Sequence, residues 1–415
     1  MANETICVIG LGYIGLPTAS LLASRGMTVH GVDVRESTVQ AINRGEVPIV
    51  EPDLATFLEA AVRSRKLTAH LKPAPADIFI LAVPTPFRDG HKPDLSYVEA
   101  AARAIAPYVK PGNLVILEST SPVGTTEAIG KWLSEMRPEL AVAGIRPGAD
   151  AVQLAHCPER VLPGQIMREL VENDRIVGGV DAASTARAAG FYRTFVAGKV
   201  LETDARTAEL AKLTENSFRD VNIAFANELS LICDHLGINV WELIRLANHH
   251  PRVNILQPGP GVGGHCIAVD PWFIVDSAPA QARLIRTARE VNDSKPEFVV
   301  DKILAAVADA PRATIACLGL AFKANIDDLR ESPAIHVVEL LRTRCANPIV
   351  VCEPHVDTAP RSLQVPTIAF TRSAAQAIKD ADVVVLLVDH RDFGDLRLSD
   401  FARKTLIDTR GSIRA

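Results

Sequence analysis

Residues 5–15 read Thr-Ile-Cys-Val-Ile-Gly-Leu-Gly-Tyr-Ile-Gly, a short apolar run that leads into three glycines spaced as G-x-G-x-x-G. The apolar run predicts a β-strand, and the residues that follow it as far as Arg25 predict a helix. A second predicted strand, residues 28–34, carries Asp33 near its end, 18 residues after Gly15. This glycine pattern binds a dinucleotide when it lies between a strand and a helix and is followed by a second strand that ends in an acid.

Each glycine of the pattern has its own physical role. Gly10 permits the tight turn, Gly12 lets a pyrophosphate approach the backbone, and Gly15 lets the helix pack close to the strand. The helix N-terminus then meets the phosphates with its partial positive charge. Asp33 would accept hydrogen bonds from the ribose hydroxyls, which favours NAD over NADP, although Arg35 is close by. The alternative is a tight helix–strand junction without a ligand, with Asp33 as a solvated strand end.

The bulk composition describes a globular protein that has no obvious surface for a polyanion. Its 415 residues allow two or three domains; 48% of them are hydrophobic and 22% are charged. The net charge of −5, with no long basic run, argues against nucleic acid as a partner. We expect no membrane insertion, because no apolar run approaches the ~20 residues that span a bilayer and no signal peptide is recognisable.

The βα pattern changes in the middle of the chain. Residues 77–83 and 114–120 predict two further strands separated by helical stretches, which is typical of a parallel sheet. From about 204 to 235 the chain reads as one helix, with no Gly or Pro before Gly237. This helix would be roughly 45–50 Å long, which suits a spine that joins two lobes or two subunits. A second helical stretch covers about 280–308.

After Pro311 the βα pattern returns and repeats the first lobe. Four predicted strands match in order: 315–322 with 6–13, 349–353 with the Asp33 strand, the strand from 381 with that from 76, and 406–411 with 117–121. We therefore predict an α/β fold with two Rossmann-like parallel-sheet domains joined by a long central helix and a helical spine. The predicted domains are 1–200, which binds NAD, 201–308, which is helical, and 309–415, which lacks the glycine pattern and should bind another ligand.

A candidate nucleophile lies in residues 259–270, Gly-Pro-Gly-Val-Gly-Gly-His-Cys-Ile-Ala-Val-Asp. A lone cysteine is more often a small buried hydrophobe than a nucleophile. That interpretation fits five of the seven cysteines, which lie in apolar patterns: Cys7, Cys233, Cys317, Cys345 and Cys352. Cys157, at a predicted loop, stays ambiguous. Cys266 differs because four glycines let backbone and ligand come close to it, and a site can activate such a thiol.

The cysteines also bear on metals and compartment. None of the seven has zinc-binding spacing with another cysteine or a histidine. We therefore expect no metal site, and reduced thiols in a cytoplasmic protein.

Polar residues at helical spacing indicate an anion site. Lys212, Asn216 and Arg219 share one face of the predicted spine, at i, i+4 and i+7. A solvated face is the alternative, but the intervening residues are largely apolar, so the helix looks buried and the face suits an oxyanion or a phosphate. Glu159 is a candidate base or a plain loop charge. Loop cations that suit a diphosphate are Lys323, Arg330 and Arg252.

Taken in order, Gly10–Gly15, Glu159, Lys212–Asn216, Cys266–Asp270 and Lys323–Arg330 give the chain a close resemblance to the UDP-glucose/GDP-mannose dehydrogenase family, over essentially all 415 residues. The resemblance implies oxidation of a sugar C6 alcohol to a carboxylate with two NAD and one water. It also implies a UDP-sugar substrate held by the domain at 309–415. A homodimer through the central helices is implied as well.

The resemblance also implies roles for individual residues. Cys266 would form a thiohemiacetal and then a thioester, which water activated through Glu159 would hydrolyse. Lys212 would stabilise the oxyanion or move the first proton, Asn216 and Asp270 would hold water and substrate, and Thr120 would lie near the reacting carbon. Cofactor contacts would come from Gly10, Gly12, Tyr13, Ile14, Gly15, Asp33, Thr85, Thr126 and Glu331. Substrate contacts would come from Arg160, Val161, Arg219, His250, Arg252, Gly263, Lys323 and Arg330.

One departure from the family pattern bears on the sugar. UDP-glucose dehydrogenases commonly have a lysine before the aspartate that follows the cysteine, where this chain has Ile-Ala-Val-Asp. The departure fits the aminosugar subgroup, which serves bacterial surface polysaccharides (enterobacterial common antigen or capsule) and whose substrate is UDP-N-acetyl-D-mannosamine. The alternatives are UDP-glucose, UDP-N-acetylglucosamine or GDP-mannose as substrate, a two-electron hydroxy-acid dehydrogenase, and a non-catalytic NAD-binding regulator.

Overall fold

The computed structural model describes residues 4–49, 51–162, 164–264 and 266–413, without the side chain of Asp89. The chain divides into two compact units, Met1–Glu215 and Asn216–Ala415. The division into three domains at residues 200 and 308 stays a prediction. Within the described ranges, no helix is both long and apolar enough to cross a membrane.

The first unit alternates strands and helices, as the sequence predicts. Its strands are β1 (Thr5–Ile9), β2 (Thr28–Val32), β3 (Leu67–His70), β4 (Ile78–Leu81), β5 (Phe87–Arg88), β6 (Lys92–Pro93), β7 (Leu114–Leu117), β8 (Gln153–His156), β9 (Arg175–Gly179) and β10 (Val200–Asp204). Its helices are α1 (Gly15–Ser24), α2 (Glu36–Asn43), α3 (Leu54–Arg63), α4 (Ser96–Ile105), α5 (Thr125–Met136), α6 (Ile166–Glu172) and α7 (Ala182–Tyr192).

The strands of the first unit form one large sheet and one small hairpin. The sheet has the order β10-β9-β8-β7-β4-β1-β2-β3, while β5 and β6 pair with each other. Neighbours in the sheet are parallel except β8 and β9, which are antiparallel. Because β9 reverses direction, its first residue, Arg175, lies at the edge where β7 and β8 end. Side chains alternate between two buried clusters, so Ile116 and Leu117 of β7 face opposite layers.

Helix α8 (Ala205–Leu236) has 32 residues and is about 48 Å long. The predicted span of 204–235 is therefore confirmed, and Gly237, at φ +68°, follows its last residue. The prediction that this helix is buried is wrong on one side. Phe218 and Phe225 are 71% and 52% exposed, because only one of the two apolar faces of α8 is covered within this chain.

The second unit contains the rest of the helices and a second sheet. The helices are α9 (Val240–Ala247), α10 (Asp270–Ser277), α11 (Arg283–Val307), α12 (Pro333–Arg344) and α13 (Ala374–Lys379). The strands are β11 (Ile315–Leu318), β12 (Ile349–Cys352), β13 (Ile368–Thr371), β14 (Val383–Leu386) and β15 (Thr405–Asp408). They are all parallel, in the order β13-β12-β11-β14-β15. The second helical stretch and the four repeated strands are confirmed, and so is the fold class.

The repeat extends to the first turn of each sheet. Gly10 (φ +92°) donates its N–H to Val32 O at 2.8 Å, and Gly319 (φ +89°) donates to Cys352 O at the same distance. An acid follows the neighbouring strand in both cases. Asp33 accepts the N–H of Leu11 at 3.2 Å, and Glu353 accepts those of Leu320 and Ala321 at 2.7 and 3.0 Å. Both turns are therefore fixed by a carboxylate.

Candidate active site

The glycine turn between β1 and α1 has the shape that a pyrophosphate needs. A Cβ on Gly10 would lie 2.5 Å from the carbonyl oxygen of Ala82, and one on Gly15 would lie 1.8 Å from that of Gly10. Both glycines are required by the packing of the protein itself. A Cβ on Gly12 would meet no atom within 4 Å, so the backbone is open there to a ligand.

Asp33 is buried at the end of β2, where it links the turn to the strand. Its Oδ2 accepts the N–H of Leu11 at 3.2 Å, and its Oδ1 accepts the N–H of Arg35 at 2.9 Å. The guanidinium of Arg35 is mostly exposed and only 3.4 Å from Oδ1. Next to the turn, Tyr13 is half exposed, and Ile14 precedes the first residue of α1. An open glycine, a helix N-terminus and this carboxylate fit the phosphates and ribose of NAD.

The three threonines predicted near the cofactor follow β4 and β7. The hydroxyl of Thr85 donates to Thr120 O at 2.6 Å, so these two lie together. Thr126 is engaged differently: its hydroxyl and its N–H donate to Oε1 of Glu209 at 2.7 and 2.8 Å. Oε2 of Glu209 accepts the N–H of Gly124 at 2.6 Å, and burial raises the pKa of this carboxyl. The predicted contact of Thr126 with the cofactor would therefore compete with Glu209, which sequence reasoning missed.

Glu159 follows β8 and is buried, with both carboxylate oxygens engaged. Oε1 accepts the N–H of Arg160 at 2.6 Å, and Oε2 accepts Nη1 of Arg175 at 2.6 Å. The Arg160 guanidinium pairs with Glu215 of α8 at 2.7 Å, and the neighbouring Val161 packs on the apolar core. Sequence reasoning missed Arg175, because no local pattern shows that β9 brings it back to this edge.

The cysteines are not joined by disulfides within the described residues, and five of the seven are buried. Cys157 is completely buried, and burial raises its pKa to about 12, so the ambiguous cysteine is an unreactive core thiol. Cys7, Cys233, Cys317 and Cys352 are also buried, which confirms their interpretation as core residues. Cys345 is half-buried and donates to Leu341 O at 3.3 Å. Cys266 is half-buried too, but it lies in a loop.

Cys266 lies in the turn that precedes α10. Its carbonyl accepts the N–H groups of Val269 at 3.1 Å and Asp270 at 2.9 Å. These two bonds fix the backbone of Cys266 in the turn that leads into α10. Asn216, from α8, donates its Nδ2 to Oδ2 of Asp270 at 2.5 Å. The structure thus brings together two predicted site residues that are 54 positions apart in the sequence, and Asp270 follows the candidate thiol by four residues.

Two of the glycines before Cys266 allow close contact with the segment that follows β11. A Cβ on Gly263 would lie 2.4 Å from the carbonyl oxygen of Glu331, and one on Gly264 would lie 2.9 Å from the Phe322 ring. The N–H of Gly264 donates to Arg330 O at 3.2 Å. Among the described residues, close neighbours of Gly263 and Gly264 come from the segment after β11, and the approach of a ligand to these glycines stays a prediction.

The predicted substrate cations of the second unit lie mainly on exposed loops. Arg330 pairs with Asp328 at 2.6 Å, and Lys323 is exposed on the same segment. Nδ1 of His250 accepts the N–H of Arg252 at 3.3 Å, and both side chains are exposed. On α8, Asn216 and Lys212 are half-buried, whereas Arg219 is exposed.

One histidine cluster has metal-like spacing. Glu353, His355 and His390 have ligand atoms within 4.8 Å of one another. However, the N–H of Asn325 donates to Nδ1 of His390 at 2.9 Å, so the ring proton is on Nε2, which lies 3.1 Å from Oε2 of Glu353. Glu353 also accepts backbone N–H groups of the β11 turn. The cluster therefore supports that turn with bonds that a metal would have to break.

Three sequence profiles of the UDP-glucose/GDP-mannose dehydrogenase family match the chain. The NAD-binding domain matches residues 4–196, the central domain matches 206–294, and the UDP-binding domain matches 316–415. The glycine turn with Asp33 lies in the first, the Asn216–Asp270 pair in the second, and Lys323 with Arg330 in the third.

Individual relatives are similar over nearly their whole length. An NDP-N-acetyl-D-galactosaminuronic acid dehydrogenase of Ralstonia nicotianae is 58% identical over 98% of this chain and 96% of its own. A UDP-N-acetyl-D-mannosamine dehydrogenase of Escherichia coli K12 is 56% identical over 99% of both chains. The solved structure of a UDP-D-ManNAc dehydrogenase from Pyrococcus horikoshii superposes with a TM-score of 0.86 at 40% identity, covering 99% and 96%. The chain therefore belongs to the UDP-glucose/GDP-mannose dehydrogenase family, as a nucleotide-sugar dehydrogenase that uses NAD.

Proposed function

We propose that this chain oxidises the C6 alcohol of UDP-N-acetyl-D-mannosamine to the uronate, using two NAD and one water. The observation that carries the proposal is the half-buried Cys266 in the turn that leads into α10, whose first residue, Asp270, is bonded to Asn216. The name of the E. coli relative supports the sugar, and the family supports the C6 chemistry.

Both oxidations need a hydride acceptor, and the first also needs a group that receives the alcohol proton or stabilises the oxyanion. NAD, when bound, accepts the electrons of each oxidation as hydride from C6. Thr85 and Thr120, which are hydrogen-bonded to each other, lie at the strand ends where this face of the sheet meets its ligand. Lys212 moves the alcohol proton in the first oxidation or stabilises the oxyanion. Glu331 belongs to the same proposal, as a contact to the cofactor.

Cys266 separates the two oxidations chemically. Its thiolate adds to the C6 aldehyde and gives a thiohemiacetal, whose oxidation leaves a thioester. Water positioned through Glu159 attacks the thioester carbonyl, the C–S bond breaks, and the carboxylate leaves as the thiol is restored. Asn216 and Asp270 hold the water and the reacting oxygen by hydrogen bonds. The sum is one alcohol and one water converted to one carboxylate and three protons, with two NADH formed.

The diphosphate of the substrate needs cations and backbone donors. Lys323 and Arg330 follow β11 on one exposed segment, and the guanidinium geometry suits phosphate oxygens. The rest of the proposed pocket consists of Arg160, Val161, Arg219, His250, Arg252 and Gly263.

A second sugar has direct support. The R. nicotianae relative is named for N-acetyl-D-galactosaminuronic acid, and it is as similar to this chain as the E. coli relative is. Both names share a 2-acetamido group, which agrees with the run Ile-Ala-Val-Asp at 267–270. UDP-N-acetylglucosamine, UDP-glucose and GDP-mannose are the remaining alternatives.

The test is a panel of these nucleotide sugars, scored by NADH formed per sugar consumed and by the mass of the product. We expect two NADH per sugar and the highest kcat/KM with UDP-N-acetyl-D-mannosamine. One NADH would refute the thioester route, and a preference for the galacto sugar would replace the substrate but keep the chemistry. A hydroxy-acid dehydrogenase would form one NADH, and a regulator would form none.

The proposal includes a homodimer formed through α8. Four apolar side chains recur along one face of the helix, at i, i+7, i+14 and i+18, and we call them the α8 stripe: Phe218, Phe225, Ile232 and Leu236. They are 71%, 52%, 46% and 60% exposed within one chain. A continuous apolar helix face of this kind suits the same face of a second copy.

The place of the reaction in the cell follows from its chemistry. The product is an activated uronic acid, which suits a transferase that builds a bacterial surface polysaccharide such as enterobacterial common antigen or a capsule. Seven free thiols agree with a cytoplasmic enzyme.

A further inference from the structure

A buried polar cluster lies under the sheet edge that carries Glu159. Glu118 follows β7 and is 2% exposed. The hydroxyl of Tyr192, from α7, donates to its Oε1 at 2.7 Å, and that of Thr18, from α1, lies 3.5 Å from Oε2. Arg175 is also buried and pairs with Glu159 at 2.6 Å.

The cluster contains two carboxylates and one guanidinium. Burial, and then the charge of Glu159, raise the pKa of Glu118 to about 7, while Arg175, Tyr192 and Thr18 act in the opposite direction. The thiol of Cys157 faces the same groups but stays protonated. A proton therefore enters or leaves this cluster near neutral pH, at a group that is shielded from solvent.

The guanidinium of Arg175 has one N–H donor, on Nε, that the described residues leave unused. Its Nη1 bonds Glu159 and its Nη2 donates to Leu170 O at 3.1 Å. Its Nε is buried and makes no hydrogen bond within the described part of the chain. The guanidinium carbon of Arg175 lies 5.9 Å from the centre of the Tyr192 ring, whose hydroxyl binds Glu118 at 2.7 Å. A negative charge on Glu118 would therefore compete with Glu159 for this guanidinium, whereas neutral Glu118 would not.

We propose that Arg175 is a positioning residue for Glu159 and that Glu118 controls it, so that hydrolysis of the thioester slows when Glu118 loses its proton. The inference rests on the proposed function, in which Glu159 positions the water. The two oxidations do not use Glu159 and should not respond to Glu118.

The test separates the steps in a single turnover of full-length enzyme. Enzyme in excess is mixed with UDP-N-acetyl-D-mannosamine and NAD from pH 6 to 8.5; NADH is followed by absorbance and the uronate by acid quench. For the unmodified enzyme, we expect uronate release to slow above about pH 7 while NADH formation keeps its rate. Glu118→Gln should remove that decline, because an amide of the same shape cannot ionise.

Two more variants test the contacts of the cluster. Tyr192→Phe should move the decline to higher pH, because the lost hydroxyl stabilised the ionised form of Glu118. Arg175→Lys should slow uronate release by roughly tenfold or more at every pH, because a misplaced Glu159 positions water poorly. If Arg175→Lys does not fold, the pH dependence of uronate release in Glu118→Gln and Tyr192→Phe still tests the inference.

The matched control is Glu51→Gln. Glu51 is another buried carboxylate of the first unit, which accepts the N–H groups of Gly164 and Ile166 outside the cluster. It should leave the pH profile of uronate release unchanged, and NAD titrations should confirm folding of every variant. A decline that persists unchanged in Glu118→Gln would overturn the inference alone, whereas a single NADH per sugar would overturn the proposed function itself.

Discussion

At the scale of single residues, burial sets aside five of the seven cysteines as core thiols and leaves Cys266 and Cys345 half-buried. Cys157 resembles a loop nucleophile in the sequence but is buried with a pKa of about 12. The sequence predicts Cys266, Asp33 and Glu159 because each is a nucleophilic or acidic residue at a recognisable place: a glycine-rich run, a strand end and a loop. It cannot predict Arg175, Glu118 or Glu209, because their role depends on which distant strand or helix brings a partner into the same buried space.

Cys266→Ala should abolish uronate formation and leave the affinity for NAD unchanged within about twofold, since the glycine turn belongs to the other unit. Product mass spectrometry and NAD fluorescence titration measure the two effects. Cys345→Ala, which changes another half-buried thiol of the same unit, is the control and should keep uronate formation. Uronate formed by Cys266→Ala at a normal rate would require another nucleophile.

The raised pKa of Glu118 has a consequence for stability. The native protein holds this proton up to about pH 7, whereas the unfolded chain releases it near the ordinary value of 4.5. The stabilisation is therefore complete below about 4.5 and is lost as the pH rises to about 7, by up to roughly 3 kcal/mol. Urea unfolding at pH 5 and pH 8 should show a larger loss for the unmodified protein than for Glu118→Gln. Equal losses would show that Glu118 ionises alike in both states.

At the scale of elements, the bounds of α8 are predicted to within one residue, because no Gly or Pro occurs before Gly237. Its exposed side is not predictable from the pattern, because apolar residues stand on both faces. Likewise, the glycines at 259–264 predict that other groups approach the backbone closely, but the sequence does not identify Phe322 and Glu331 as those neighbours.

Phe225→Asp should convert the proposed dimer to a monomer, because a carboxylate in the middle of the α8 stripe opposes burial of that face. Sedimentation velocity at several protein concentrations measures the change. Leu398→Asp, at an exposed apolar residue outside the stripe, is the control and should keep the dimer. An unmodified protein that sediments as a monomer would rule out the stripe as an interface.

Gly263→Ala should displace the loop before Cys266, because its Cβ would lie 2.4 Å from the carbonyl oxygen of Glu331. We expect a loss of about 1–3 kcal/mol in stability and a fall in kcat. Gly190→Ala is the matched control, since a Cβ there meets nothing within 4 Å on helix α7, and it should be neutral or slightly stabilising. Thermal unfolding and initial rates compare the two. Equal effects would mean that the loop tolerates the contact by shifting.

At the scale of the whole molecule, the repeated strand order is the most predictable property. The predicted strands of both sheets are present because short apolar runs bounded by turns leave few other structures. What the repeat does not predict is the ligand of each copy, since that depends on side chains at the turns. Sequence shows that the second turn lacks the glycine pattern, but not that Glu353 is enclosed by His390.

Hydrogen exchange should therefore separate the two copies. NAD should protect the backbone around Gly10–Gly15, whereas UDP should protect the segment from Lys323 to Arg330. Mass spectrometry of peptides after exchange, with each ligand alone, measures this. Protection of both turns by one nucleotide would mean that the copies share a ligand.

The Glu353–His390 pair shows how the second sheet can keep an acid at its first turn without offering that acid to a ribose hydroxyl. In the first copy, Asp33 binds the turn through Leu11, and its predicted contact with ribose would use the same carboxylate. In the second, the equivalent carboxylate is saturated from inside by backbone N–H groups and an imidazole. NAD and a UDP-sugar both contain ribose and a diphosphate, so the two binding sites must distinguish chemically similar ligands. The Glu353 carboxylate already makes its hydrogen bonds within the protein, so it is not open to a ribose hydroxyl. This distinguishes the two turns without a change in the fold.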